Sequence, residues 1–352
     1  MHFLKESRKS LKYTSSPHLA QWLWEAKTSL AVTTYEVGKC FLIGLNAEQG
    51  FSFFERTFNR CMSLCVSDDA ETIWMSTLYQ LWRFQNAVQS NDHQGHDRVY
   101  VPQAAYTTGD LDIHDIHLGQ DNRPVFVNTL FSCLASTNET HSFTPVWKPS
   151  FISKLAPDDR CHLNGLAMTS AGPKYVSAVS ASDSAQGWRS ERDKGGIVID
   201  CESQETVATG LSMPHSPRLY RDRLWILNAG TGHFGQIDLA SGRFEPLTFC
   251  PGFLRGMSFI GNYALVATSK PRDNQAFQGL KLDDELSERK MKAQCQLCII
   301  DLTTSELVHW LRFDGLVNEL YDVTCLPGSR RPMMIGLQNE EIHRTLSIGE
   351  PS

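Results

Sequence analysis

The strongest constraint on this chain is a phrase of four strand-length runs that returns along its length. The clearest copy, SPRLYRDRLWILNAGTGHFGQIDLASGRFEPLTF, fills residues 216–249. A second begins as LRGMSFIGNYALVATSK, breaks for an insert, and resumes as QLCIIDLTTSELVHWLRF, within 254–313. A third joins HLNGLAMTSAGPKYVSAVS to GGIVIDCESQETVATG over 162–210. In each, the third run closes on Ile-Asp and a hydrophobic residue, with Ser or Thr two places beyond it. A single four-stranded sheet leaves an apolar face bare. Stacking such sheets around an axis buries those faces and leaves only short, protected edges. The chain is therefore expected to be all-β, a β-propeller.

Blades are expected over 61–105, 112–149, 162–213, 215–251, 254–314 and 319–348. The last block has too few strands for a sheet. Three further runs, SLAVTTY (29–35), GKCFLIGL (38–45) and FSFFERTF (51–58), lack an inner partner. Joining the two sets closes the ring and removes open edges. Six blades follow, or seven if the N-terminal runs make their own sheet. Residues 1–28 are an extension with a short amphipathic helix, in which Leu19, Trp22, Leu23 and Ala26 recur at helical spacing, and 29–348 form one propeller domain. The insert 271–294 is charged and helix-prone and is expected over one face. The loop 89–97, QSNDHQGHD, is polar, and its two histidines are expected in solvent.

The net charge of −6 and the lack of a Lys/Arg tract argue against a nucleic-acid partner. No run approaches the ~18 apolar residues of a membrane span. The N-terminal residues carry no apolar core of a secretory signal. The ten cysteines are scattered, with Cys295 and Cys298 the one CxxC pair, and read as buried core thiols of a cytoplasmic protein.

In a propeller the residues that open the innermost strands converge on the axis. Here they include Arg60-Cys61-Met62, His114-Asp115, His162-Leu163-Asn164, His215-Ser216, Arg255-Gly256 and Glu319-Leu320-Tyr321-Asp322. Three of these carry histidine. Imidazoles brought together from different blades can build an open site for a divalent transition metal, zinc, iron or copper, or can perform acid–base chemistry without one. His114, His162 and His215 are the candidate ligands, with Glu319 as carboxylate partner. Asp115 and Tyr321 are further catalytic candidates. Asn128, Asn164, Asn228, Arg255, Lys270 and Arg272 are expected to bind substrate near the same end, and the three cations point to a small anionic ligand. Trp188 and Arg189 lie in a long loop suited to a lid. Gly230-Thr231-Gly232 either exposes backbone N–H groups or is an ordinary hairpin turn.

The phrases AYTTGDLDIHDI, VNTLFSCLA, RCHLNGLA, GLSMPHSPRL, LNAGTG, PGFLRGMSF and NELYDV resemble the signature of an uncharacterised bacterial family, a domain of unknown function. The resemblance runs from about Trp22 to about Arg344. It implies a single propeller-like domain and brings no reaction. More distantly, the architecture is similar to gluconolactonases, streptogramin lyases and carotenoid oxygenases, a likeness of fold alone. Two classes stay open. One is a small-molecule hydrolase, lyase or oxidase acting on an anionic substrate; the other is a non-catalytic propeller that binds a protein or glycan.

Overall fold

In the computed structural model the described residues are 11–88, 93–271 and 279–349. They form six sheets around an axis. The strands nearest the axis in blades one to five are Leu64–Val66, Ile113–Leu118, Leu163–Thr169, Pro214–Tyr220 and Phe253–Ile260. Blade six takes its inner strand, Val323–Pro327, from the C-terminal part. Its other three, Thr28–Thr33, Lys39–Leu45 and Phe51–Thr57, come from the N-terminal part. The ring thus closes by the expected exchange, with six blades rather than seven.

Two further strands sit outside this pattern. Lys12–Ser15 adds a fifth, antiparallel strand to the outer edge of blade five, pairing Lys12 with Asp314 and Ser15 with Leu311. Pro332–Met334 was expected within the closing blade. It runs parallel to Arg98–Tyr100 at the edge of blade one instead. Both cover edges that would otherwise offer unpaired backbone groups.

The helix Leu19–Glu25 forms where the apolar spacing put it. Leu19, Trp22 and Leu23 are buried against Leu30, Phe41 and Phe313 between blades five and six. In the insert, the helix Lys281–Glu288 buries Leu282 and Leu286, one turn apart, beside the turn after Asn228. In the polar loop His93 is exposed, but His96 is buried, its Nδ1 3.0 Å from the Arg331 carbonyl and its ring against Phe54. No described helix is long and apolar enough to cross a membrane. The ten cysteines are all free thiols.

Each blade is tied to the next near the axis by a hydroxyl donating to a backbone carbonyl. Ser76 bonds Ile113 at 3.3 Å, Thr129 bonds Leu163 at 2.7 Å and Ser177 bonds Pro214 at 3.2 Å. Ser216 bonds Arg255 at 2.8 Å, Ser269 bonds Leu320 at 2.9 Å, and Thr33 bonds Met62 across the closure. All these groups are buried, where an unpaired polar group costs ~1–3 kcal/mol. The inner strands also approach closely. A Cβ on Gly165 would lie 2.3 Å from Pro217 Cδ, and one on Gly256 2.3 Å from Asp322 Oδ1.

Candidate functional site

The inner strands of blades two to five each break register where they begin. The shifts fall around His114–Asp115, Asn164, Ser216–Pro217 and Arg255–Gly256. A bulge interrupts strict alternation and re-aims side chains. These are the residues that gather at one end of the axis.

The histidines are set by strained backbone. Asp112 and Met213 are left-handed, with φ 53° and 47°, and each turns its carbonyl onto the histidine two residues on. His114 Nδ1 is 2.8 Å from Asp112 O, and His215 Nδ1 is 2.8 Å from Met213 O. His162 and Asp159 are themselves left-handed, φ 49° and 44°. His162 Nδ1 lies 3.0 Å from Asp159 Oδ2, which also accepts the Trp188 indole N–H at 2.8 Å. Such conformations cost ~1–3 kcal/mol apiece and persist only where the surroundings over-determine them.

The partners decide the tautomers. A backbone carbonyl or an ionised carboxylate only accepts, so each Nδ1 carries the hydrogen and each neutral ring keeps its lone pair on Nε2. The Nε2 of His215 is occupied, 3.3 Å from the Asn164 amide nitrogen. Among the described residues, neither His114 Nε2 nor His162 Nε2 meets a protein donor. These two rings meet edge to face, centroids 4.8 Å apart. Trp188 lies 4.2 Å from His162 on its other side. The trio thus resolves into a close pair and a third ring held by Asn164.

Burial favours the neutral form of His114 and His215. It lowers His114 to about 4, against the opposing pull of Asp112 and with the help of the neighbouring His162 ring and the Arg255 charge. Burial, then the Arg255 charge, also holds His215 well below the ordinary range. Burial would raise the Asp159 carboxyl, but His162 and Trp188 outweigh it and hold Asp159 low and ionised.

The other expected residues divide. Tyr321 is in the cluster: its ring is 6.0 Å from His114 and stacks on Tyr35 at 6.1 Å. Its hydroxyl is buried with no hydrogen-bond partner among the described residues. Trp188 is buried over His162, and Arg189 caps its outer face at 4.6 Å. Glu319, expected beside the histidines, forms a buried ion pair with Arg255 at 2.9 Å. That pairing offsets the Arg255 charge expected to hold an anion. Lys270 reaches Asn318 Oδ1 at 3.3 Å, and Arg272 lies outside the described residues.

Asp115, expected to be catalytic, is a brace instead. It takes both Arg218 amino groups, at 2.7 and 3.0 Å, and the backbone N–H groups of Leu166 and Ile116. It thereby ties blade two to blades three and four. Asn128 and Asn228 brace turns through Oδ1, to Phe131 N at 3.1 Å and Ser212 N at 2.7 Å. The Gly230 and Gly232 N–H groups bond Ser212 and Ala229 carbonyls, so the turn there is structural. Among the described residues, no three His, Cys, Asp or Glu side chains are disposed to hold one metal ion.

The sequence reading missed Asp159, Asp112 and Thr129, whose hydroxyl is 2.9 Å from His114 Nδ1. A carboxylate three residues before His162 was a usable signal for Asp159. Thr129 comes from a neighbouring strand and carried none.

The chain belongs to the family described as a domain of unknown function, DUF4915, whose model matches residues 17–335. This bears out the resemblance read from the histidine phrases. No curated protein matches the chain. A chain of the nidogen/laminin complex superposes with a TM-score of 0.55 at 11% identity, covering 86% of this chain and 99% of that one. A protein of unknown function from Bacteroides caccae superposes at 0.51 with 12% identity, covering 85% and 98%. Virginiamycin B lyase from Staphylococcus aureus gives 0.40 at 13% identity, covering 74% and 96%. At such identities the first two likenesses are of fold alone.

Proposed function

We propose that this member of DUF4915 is a small-molecule enzyme that works by proton transfer at the axial histidines, in an elimination or a hydrolysis. His162, oriented by Asp159, is the general base. His114 is a second acceptor beside it, and Tyr321 is the proton donor to the leaving group. The observation that carries this reading is the His114–His162 pair, both Nδ1–H groups committed and both Nε2 lone pairs without a protein donor among the described residues. A carboxylate behind an imidazole fixes its tautomer and stabilises the imidazolium that forms on proton abstraction. Burial keeps the Tyr321 phenol neutral through the physiological range, as a donor must be.

Two-bond 1H–15N spectra of the histidines test this directly. His114 should remain the neutral Nδ1–H tautomer until the pH approaches about 4. A His114 that titrates near its ordinary 6.5 would remove the basis of the reading. Untagged protein should then be assayed on panels of esters, lactones and β-elimination substrates, with and without chelator. Activity lost in His162→Ala and kept with chelator supports metal-free proton transfer. Activity restored by zinc, iron or copper after chelation supports a metal held by His114 and His162. A second reading, a non-catalytic binding propeller, is favoured by the half-exposed Trp24, capped by Arg330 at 4.5 Å beside a cavity of about 350 Å³. Binding of a protein or glycan that survives replacement of His114 and His162, with no turnover on any panel, would favour it.

A further inference from the structure

The hydrogen-bonding pattern of the histidine site specifies its ligand more narrowly than the charge pattern of the sequence does. The site presents two acceptors without protein donors, His114 Nε2 and His162 Nε2, on rings whose centroids are 4.8 Å apart. Beside them Tyr321 buries a hydroxyl that has no partner among the described residues. A buried polar group left unmade costs ~1–3 kcal/mol, so a ligand that satisfies these atoms gains what the empty site forgoes.

Three chemistries can be compared. A carboxylate or phosphate oxygen only accepts, so it can take the tyrosine hydrogen but sets lone pair against lone pair at both imidazoles. The carboxylates of Asp112 and Asp159 behind the rings add to that repulsion. Among the described residues, Arg255 and Arg60 do not reverse it, since Arg255 pairs with Glu319 and Arg60 with Asp110. An ammonium group has the converse defect. It donates to both imidazoles but has no lone pair to receive the phenol hydrogen. A hydroxyl donates and accepts at once.

We propose that the ligand of this site is a neutral molecule bearing adjacent hydroxyls, a vicinal diol of the kind carried by sugars and cyclitols, and not an anion. One hydroxyl donates to His162 Nε2, its neighbour donates to His114 Nε2, and one of the two oxygens receives the Tyr321 hydrogen. Tyr35, stacked on Tyr321, adds an aromatic wall for the carbon face of such a molecule. This rests on the proton-transfer reading, in which His162 would draw its proton from the bound hydroxyl or from the carbon beside it.

The experiment uses the full chain and follows the histidine side-chain resonances during titration with cis-1,2-cyclohexanediol, myo-inositol, acetate, inorganic phosphate and methylammonium. The diols should shift His114 and His162 Nε2 and leave His215 less affected, while the three ions leave the pair unmoved at equal concentration. Acetate, phosphate or methylammonium shifting the pair at lower concentration than either diol would overturn the proposal, as would diols that shift nothing. Tyr321→Phe should weaken diol binding by about tenfold, the loss of one buried hydrogen bond. A Tyr321→Phe protein with wild-type melting temperature and wild-type diol binding would also overturn it. The unliganded spectra separate the two claims. Nδ1–H tautomers with anion binding refute the ligand and spare the mechanism, whereas an ordinary titration of His114 refutes the mechanism itself.

Discussion

Single residues at the axis do two different jobs, and their titration tells them apart. Asp159 is an orienting group. Asp159→Asn should lower any proton-transfer activity by about 10²-fold, within the usual worth of a positioned base. Because Asn can also accept through oxygen, the diagnostic readout is the His162 tautomer ratio, which should become mixed. Asp322 is a structural carboxyl at the start of the closing strand, accepting the Leu64 and Val323 N–H groups at 2.8 Å each. Burial, then the nearby Asp115 charge, raises it to about 7. The folded state therefore favours its protonated form. Its contribution is fully present below the ordinary carboxyl value and is lost as pH rises toward about 7. Asp322→Asn cannot lose that contribution. Its melting temperature relative to wild type should rise between pH 4 and pH 7 and level off above, as followed by thermal melts. A constant difference across that range would contradict the assignment. Asp115 acts in the opposite sense. Burial resists its ionisation, but Arg218 and His117 outweigh burial and hold its pKa low, so its contribution is lost at acid pH.

At the scale of elements, the inner strands are organised by hydroxyl bonds between blades and by bulges within them. Ser177 accepts the Gly165 N–H at 3.1 Å and donates to the Pro214 carbonyl at 3.2 Å, fully buried. Ser177→Ala should cost about 1–3 kcal/mol in denaturant unfolding, because it leaves two buried backbone groups unpaired. A cost within a few tenths of a kcal/mol would mean that the blades slide to re-pair. Bulge positions were the least legible part of the sequence. Alternation sends His114 and Asp115 to opposite faces of a strand, and only the register shift opposite Phe126–Asn128 accounts for where both reach. The helix Leu19–Glu25 was legible because its face is written in local spacing. The parallel strand Pro332–Met334 was not, because its partner, Arg98–Tyr100, lies more than two hundred residues away in sequence.

The whole molecule depends on closure. Blade six is made from both ends of the described chain, so its inner strand Val323–Pro327 depends on pairing with Thr28–Thr33 and on packing against the inner strands of blades five and one. A chain ending after residue 320 would lose that strand and Asp322 together. It should show no cooperative thermal transition by circular dichroism. Among the described residues, removing 1–16 takes away the outer strand Lys12–Ser15, the Ser16 bonds to Trp310 and the Tyr13 contacts to Phe51 and Phe53, and it should leave a cooperative fold with a lower melting temperature. If both truncations melt alike, closure is not what holds the ring.

By itself the sequence determined the architecture, the closing exchange and the blade starts that bring the histidines to the axis. These rest on local apolar periodicity and on the need to bury every sheet face, and both are written along the chain. Only the tertiary structure decided which of the three histidines form a pair. Asn164 occupies His215, Asp159 and Trp188 fix His162, and Arg255 claims Glu319. Each of these pairings depends on the direction of a side chain leaving a bulge or a left-handed residue. Such directions follow from contacts between distant blades, which no spacing along the chain encodes.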